Sequence, residues 1–384
     1  MKIGILTLRP VYNYGGILQC LALQETLRDM GHDVSVISFK SNHRSTLVRR
    51  IRLLLTDFTF REYGSWAYSW LSERFERIIG KRAASTPKKL VENCRRFMNE
   101  RICFTNDCDE TQIGILIRQE GFDAIVIGSD KVWGGLGHSQ LTYFGDWQPM
   151  FQGILISYAA CSSVKRVPCF NRKKIGTLLS YFNALSVRDE YTAGLFRPYS
   201  TANIRVMPDP VILYDFDRLV QKSESGSDYI FTYILGREIK GTHRAAIAEM
   251  KAQFGNIPVK AIVFRNQATD IVRYADEVID DADPGQWISL LANAKIVYTD
   301  SFHASVFAIK YQRRLFAYFS ERTRSTRLID MRDTFGLACC IVDSVADAKH
   351  KNTVRAEPDY TYIACRMQEM KKEALEFLTE NLRK

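Results

Sequence analysis

The stretch Asn293–Ala308, N-A-K-I-V-Y-T-D-S-F-H-A-S-V-F-A, decides how the chain is read. Lys295 to Thr299 is a short β-branched and aromatic run of strand type, Asp300 or Ser301 is a ready helix N-cap, and the apolar spacing from Phe302 onward is helical. The chain therefore turns from strand to helix at Asp300–Phe302. At such a junction the free N–H groups and the dipole of the helix start favour phosphate or carboxylate. His303 falls in that first turn, either facing the anion or packing and capping the helix.

Working outward, the same alternation recurs on both sides. Downstream, Leu315–Phe319 reads as a strand, Thr326–Phe335 as a helix and Cys339–Val342 as a strand; upstream come Tyr229–Leu235 (strand), Ile239–Phe254 (helix), Val259–Phe264 (strand) and Pro284–Ala294 (helix). The first part of the chain opens on a strand at Lys2–Leu8, with Val11-Tyr-Asn-Tyr-Gly-Gly16 leading into a helix that ends at Gly31 and a strand at Asp33–Phe39. Its glycines sit where a ligand can approach backbone closely, but the pattern is not G-x-G-x-x-G. Strand-like runs resume at Asp123–Gly128, Ile154–Ala159, Ala184–Val187 and Ile204–Met207, most of them ending in polar residues. Strands alternating with helices predict an α/β fold of open parallel sheets with ligands at the carboxyl ends of the strands. Two doubly wound halves follow, with a cleft between them. They span residues 1–212 and 229–350, joined by a polar linker at 213–228; a charged helix from Tyr360 to Leu382, within 351–384, reaches back over the first half.

Length and composition bound the function. With 384 residues and 46% hydrophobic composition the chain can bury the cores of two domains. Met1–Leu8 is too short for a signal peptide, and no apolar run approaches the length of a membrane span, so the expected location is cytoplasmic. Nine cysteines without a C-x-x-C pair read as reduced packing thiols, and no zinc or other metal is expected. The net charge of +10 is concentrated: residues 40–101 hold fifteen Lys/Arg and six Asp/Glu, a net +9, interleaved with Phe58, Phe60, Tyr63, Trp66, Tyr68, Trp70 and Phe75. Such a segment is either a helical insertion with its aromatics in the core or a contact for an anionic membrane face. Nucleic acid is not expected, because no nucleic-acid-binding module accompanies the charge.

Ser320-Glu-Arg-Thr-Arg-Ser-Thr-Arg327 follows the strand after the His303 helix, so Arg322, Arg324 and Arg327 emerge on the same side as His303 and can fork onto phosphate or carboxylate oxygens. No Ser-His-Asp triad, metal cluster or P-loop accompanies them. Chemistry here must work with one histidine, several arginines and helix ends, a set suited to a phosphorylated carboxylic acid or a nucleotide diphosphate.

Six motifs in order then resemble the polysaccharide pyruvyl transferase family: N-Y-G-G-I-L-Q with A-L-Q (Asn13–Gln19, Ala22–Gln24), F-D-A-I-V-I-G-S-D-K-V-W (Phe122–Trp133), I-S-Y-A-A (Ile156–Ala160), L-S-V-R-D (Leu185–Asp189), P-D-P-V-I-L (Pro208–Leu213) and T-D-S-F-H-A-S-V-F-A (Thr299–Ala308). The resemblance implies two Rossmann-like domains facing each other, as in the glycosyltransferase-B class. It also implies phosphoenolpyruvate as donor with no further cofactor, and as product a cyclic pyruvate ketal on a sugar diol of a capsular or exopolysaccharide. Galactose bridged at its 4- and 6-hydroxyls is the family habit.

The family histidine carries over to His303 as the catalytic acid, and the donor-binding arginine of its S-V-R motif to Arg188. Members reading R-L-H-G place another arginine where this chain has Ser301. The following glycine is Ala304 here, and the usual Gln of G-S-D-Q-V-W is Lys131. Arg322, Arg324 and Arg327 are the candidates to compensate. The acceptor is expected on the first half near Asn13, Tyr14, Asp130 and Trp133; if it is lipid-linked, segment 40–101 would rest on the membrane. A nucleotide-sugar glycosyltransferase of similar fold and a non-catalytic glycan- or membrane-surface protein are the alternatives.

Overall fold

The computed structural model describes residues 1–41, 87–136, 141–222, 228–236, 238–263, 270–319 and 326–383. The segment read as a membrane contact lies largely outside the described residues, as do Arg322 and Arg324.

The first sheet has the order β3-β2-β1-β4-β5, built from β1 (Lys2–Leu6), β2 (Asp33–Phe39), β3 (Phe104–Cys108), β4 (Ala124–Ile127) and β5 (Ile154–Ser157), all parallel. The strand β6 (Leu185–Val187) pairs with β7 (Ile204–Val206), and bridges Ile156–Ala184 and Ala160–Val187 attach this pair to β5. The second sheet runs β10-β9-β8-β11-β12-β13, from β8 (Ile230–Tyr233), β9 (Val259–Ile262), β10 (Glu277–Ile279), β11 (Ile296–Thr299), β12 (Arg314–Tyr318) and β13 (Ile341–Val342). Its pairs are parallel too. Helices cover both faces, which is why the central strands K-I-G-I-L, A-I-V-I and I-V-Y-T are almost wholly apolar. The result is two Rossmann-like, doubly wound halves, the α/β architecture of the glycosyltransferase-B class.

Each sheet reverses its strand order once, between β1 and β4 and between β8 and β11. A crevice opens at the carboxyl ends of the strands at such a reversal, and ligands of open α/β sheets collect there. The helix α1 (Tyr14–Asp29) leaves β1 at the first reversal. Three further helices matter below: α2 (Lys88–Arg101), α3 (Pro284–Ala292) and α4 (Phe302–Lys310), the last leaving β11 at the second reversal.

The halves meet in a packed seam. Tyr14 stacks on Trp287 of α3 with ring centroids 5.5 Å apart, and its hydroxyl donates to the Ala282 carbonyl at 2.8 Å. The amphipathic α2 turns Leu90, Cys94, Phe97 and Met98 inward, and its Asn93 Nδ2 reaches the Asp281 carbonyl at 2.7 Å. At the far side Lys310 Nζ donates to the carbonyls of Val211, at 2.8 Å, and Tyr214. Leu213 and Phe216 are buried beside it, so the front of the segment expected to be a polar linker is packed structure. A final helix, α5 (Tyr360–Asn381), lies back across the first half, with Phe377 beneath Arg205 at 5.4 Å and Glu380 paired with Arg205 at 3.5 Å.

Two strands escape the sequence pattern. Phe104–Cys108 and Glu277–Ile279 are edge strands with polar or exposed residues, so they lack the apolar run that marks a central parallel strand.

Candidate active site

The two reversals bring the starts of α1 and α4 together. Asn13 caps α1, accepting from Gly16 N at 3.3 Å, and Ser301 caps α4, accepting from Ala304 N at 3.4 Å. His303, in the first turn of α4, lies directly against Gly15 in the first turn of α1: a Cβ at Gly15 would stand 2.2 Å from His303 Nδ1. The glycine read as leaving room for a ligand therefore leaves room for the imidazole. Two helix starts aimed at one place reinforce each other's preference for an anion.

Asp209 joins the histidine to the arginine. Its Oδ2 lies 2.6 Å from Arg188 Nη1 and 3.4 Å from His303 Nε2, and Arg188 Nη2 lies 3.5 Å from Asp130 Oδ1. All four groups are nearly buried, at 2% exposure for Asp209, 7% for Arg188, 8% for His303 and 9% for Asp130. Asp209 is held by its own turn: its Oδ1 accepts from Val211 N at 3.2 Å, while the Tyr158 hydroxyl donates to the Pro208 carbonyl at 3.0 Å. Burial alone would raise its carboxyl's pKa; the charges of His303 and Arg188 outweigh that and hold it well below the carboxylate range. At Asp130, too, burial is outweighed by Arg188, His303 and Arg327, and the pKa is lowered. Asp130 carries a left-handed backbone, φ 66°, at the end of β4, a conformation costly for a residue with a side chain and common where side chains are aimed for function.

Donors remain over. Arg188 Nε and Nη2 and His303 Nε2 are buried without a hydrogen-bond partner, the 3.4 Å contact to Asp209 being an ion-pair distance only. Buried donors are nearly always satisfied, so Arg188 Nε without a partner, beside Nη2 and His303 Nε2 met only at 3.5 and 3.4 Å by carboxylates, suits a site that takes up an anion. Phe302 props the cluster, with the Arg188 guanidinium 5.3 Å and the Arg327 guanidinium 5.6 Å from its ring centre. Beneath them the buried Cys161 thiol lies 3.3 Å from Asp189 Oδ2, and burial raises its pKa.

Of the residues expected in the site, His303, Arg188, Asp130 and Arg327 come together, with Asn13 exposed at the nearby start of α1. Ser301 is next to them, its hydroxyl occupied as the cap of α4. Two acceptor residues are corrected. Trp133 is fully buried, stacked on Phe144 at 5.1 Å and edge-on to Phe196 at 4.9 Å, with Nε1 donating to the Tyr143 carbonyl; no face remains for a sugar. Tyr14 is equally buried, in the seam between the halves. Asp209, central to the geometry, lies in Pro208-Asp-Pro210, at the polar end of a strand and within one of the six family motifs, neither of which assigns it a role. Among the described residues no cluster of three or more His, Cys, Asp or Glu is set to hold a metal, and no helix is long and apolar enough to cross a membrane.

A family model described as polysaccharide pyruvyl transferase matches residues 13–318, well over half of the chain and including each group just described except Arg327. No curated protein matches the chain. Among solved structures, Arabidopsis thaliana UGT89C1 complexed with UDP-L-rhamnose is similar at a TM-score of 0.55 and 10% identity, over 98% of both chains. The Methanocaldococcus jannaschii UDP-GlcNAc 2-epimerase in complex with UDP-GlcNAc and UDP is similar at 0.48 and 13%, over 99% of this chain and 100% of the other. At 10% identity the likeness to the first is one of fold alone.

Proposed function

The chain belongs to the polysaccharide pyruvyl transferase family, and from that premise we propose that it moves pyruvate from phosphoenolpyruvate to a sugar diol of a surface polysaccharide precursor, releasing phosphate. One observation carries this reading: His303 and Arg188 share Asp209 at the meeting of two helix starts, with Nε and Nη2 of Arg188 lacking a close hydrogen bond.

A small trianion fits that set without metal, because guanidinium groups and helix N-termini supply fixed positive charge out of water. Protonation of the methylene carbon, with His303 as the acid, makes the adjacent carbon electron-poor. One sugar hydroxyl adds to it, the C–O bond to phosphate breaks, and the second hydroxyl closes the ketal. The two hydroxyl protons are accounted for, one ending on the new methyl group and one on departing hydrogen phosphate. Asp209 orients the imidazole and returns it to the same position between steps. Asn13, exposed at the start of α1, and Asp130 are the first-half groups that can bond acceptor hydroxyls.

The reading is tested by incubating the protein with phosphoenolpyruvate and a panel of free and lipid-linked galactosides, then weighing the products for added pyruvate. A 4,6-ketal on galactose is the expected product. If the acceptor is lipid-linked, the protein should sediment with anionic liposomes in preference to neutral ones. Stabilisation by a nucleotide diphosphate with indifference to phosphoenolpyruvate would instead favour a glycosyltransferase.

A further inference from the structure

The turn that carries Asp209 is gripped at both ends by one helix of the opposite half. Asp209 caps the single turn Pro210–Ile212, its Oδ1 accepting from Val211 N at 3.2 Å, while its Oδ2 meets Nε2 of His303, in the first turn of α4, at 3.4 Å. At the other end of α4, Lys310 Nζ donates to the Val211 carbonyl at 2.8 Å and to the Tyr214 carbonyl. Between the two grips Phe307 of α4 lies edge-on to Phe216 with ring centres 5.1 Å apart, and the Lys310 ammonium stands 5.3 Å from the same Phe216 ring. His303 and Lys310 are two helical turns apart, so they share a face of α4 and their separation along it is fixed at about 10 Å. A lysine is ordinarily a solvated group. This one is half-buried; Asp215 and Asp217 lie near enough to attract it and Lys371 of α5 to repel it, but the bonds it makes are to main-chain carbonyls. The last carbonyls of a helical turn have no donor within it, and a basic side chain supplies one.

We propose that Lys310 is a positioning residue for the reaction: by capping the far end of the turn whose near end is capped by Asp209, it sets where the Asp209 carboxylate stands against His303 and Arg188. Lys310 touches none of the reacting groups and acts through the turn. Because the imidazole and the ammonium belong to one stiff helix, holding Val211 and Tyr214 at its end fixes the distance between carboxylate and imidazole at its start. The same two carbonyls join the halves beside the site, so the seam and the alignment of His303 are one structure. For its effect on turnover this rests on the pyruvyl-transfer reading; its effect on the turn does not.

The test compares the unaltered protein with Lys310→Met, which keeps an apolar stem but removes the donors, and Lys310→Arg, which restores them, the Met change also being combined with Asp209→Asn. Thermal melts confirm that each variant is folded at the assay temperature. Two quantities are read: hydrogen exchange of residues 207–216 by mass spectrometry, and kcat for phosphate release from phosphoenolpyruvate with acceptor. Loss of charge-assisted contacts predicts that residues 207–216 exchange about tenfold faster or more in Lys310→Met, with β11 unchanged. In the same variant kcat should fall between about tenfold and 100-fold, and Lys310→Arg should restore most of it. In the Asp209→Asn background the Met change should lower kcat by less than about twofold, because the carboxylate it positions is gone; a purely structural role would lower both backgrounds by the same factor. Unchanged exchange at 207–216 in Lys310→Met, or an equal loss of kcat in both backgrounds, overturns the assignment while leaving pyruvyl transfer intact. Should the double variant not fold, exchange in the single variants decides. No pyruvate transfer by the unaltered protein overturns the pyruvyl-transfer reading and the positioning role with it, whereas faster exchange would still assign Lys310 to the turn.

Discussion

The imidazole of His303 rests on the backbone of Gly15, each in the first turn of a helix from a different half of the molecule, so closely that a methyl group on Gly15 would fall 2.2 Å from Nδ1. Gly15→Ala must therefore push the ring off Asp209 or part the halves. A displacement of about 1 Å at a reacting group can cost about 100-fold in rate. We expect kcat to fall by that order while the melting temperature changes little, as read from phosphate release and a thermal melt. Near-normal turnover would mean that His303 is not held where the reaction needs it.

Asp209 should matter twice. Its neutralisation in Asp209→Asn leaves the buried guanidinium of Arg188 without its closest countercharge, and breaking a buried pair costs about 3–5 kcal/mol. Because the folded protein holds this carboxyl's pKa below its unfolded value, the stabilisation is complete above about pH 4 and is lost as pH falls from there towards the folded value. Urea titrations between pH 3 and 7 should show a steeper acid loss of stability in the unaltered protein than in Asp209→Asn. Parallel curves would contradict the pairing.

Asp330 has the opposite sign. Burial, with Asp189, Asp333 and Glu190 nearby, raises its pKa to about 6, and its Oδ2 is buried without a hydrogen-bond partner. A carboxyl whose pKa is raised by folding costs stability once it ionises, so the penalty is absent below about pH 4, grows through pH 6 and is complete above it. Asp330→Asn is expected to raise the melting temperature at pH 8 and to leave it unchanged at pH 4. A gain of the same size at both would rule out the titration.

Trp133 separates packing from recognition. Stacked between Phe144 and Phe196 with no exposed surface, it should behave as core: Trp133→Ala is expected to cost about 3–5 kcal/mol of stability. Trp133→Phe, which keeps a ring, should leave the acceptor KM close to normal. A large rise in acceptor KM for the Phe variant, without loss of stability, would restore Trp133 to the acceptor site.

What the sequence made legible, and what it hid, divides along physical lines. The turn from β11 into α4 was readable because a β-branched run, a capping serine and helical spacing are local signals, and they located His303. Arg188 was found through its motif. Tyr14 and Trp133 were misread because an aromatic beyond a strand end looks the same in one dimension whether it faces a sugar or fills the space between layers. Gly15 was seen as room for a ligand; only the second half, nearly three hundred residues further on, shows that a side chain occupies it. Asp209 stayed hidden because a buried ion pair is made by two distant elements, and neither Pro208-Asp-Pro210 nor Ser186-Val-Arg188 carries a sign of the other.

Pyruvate transfer itself is most directly measured by mass spectrometry of a galactoside acceptor incubated with phosphoenolpyruvate, alongside phosphate release, for the unaltered protein and His303→Ala. The expected result is an acceptor heavier by one pyruvate ketal, with one phosphate released per ketal. Both should fall by about 100-fold or more in His303→Ala, the scale of losing a general acid, with the fold unchanged. An unmodified acceptor throughout the panel, or full activity without the imidazole, would contradict it.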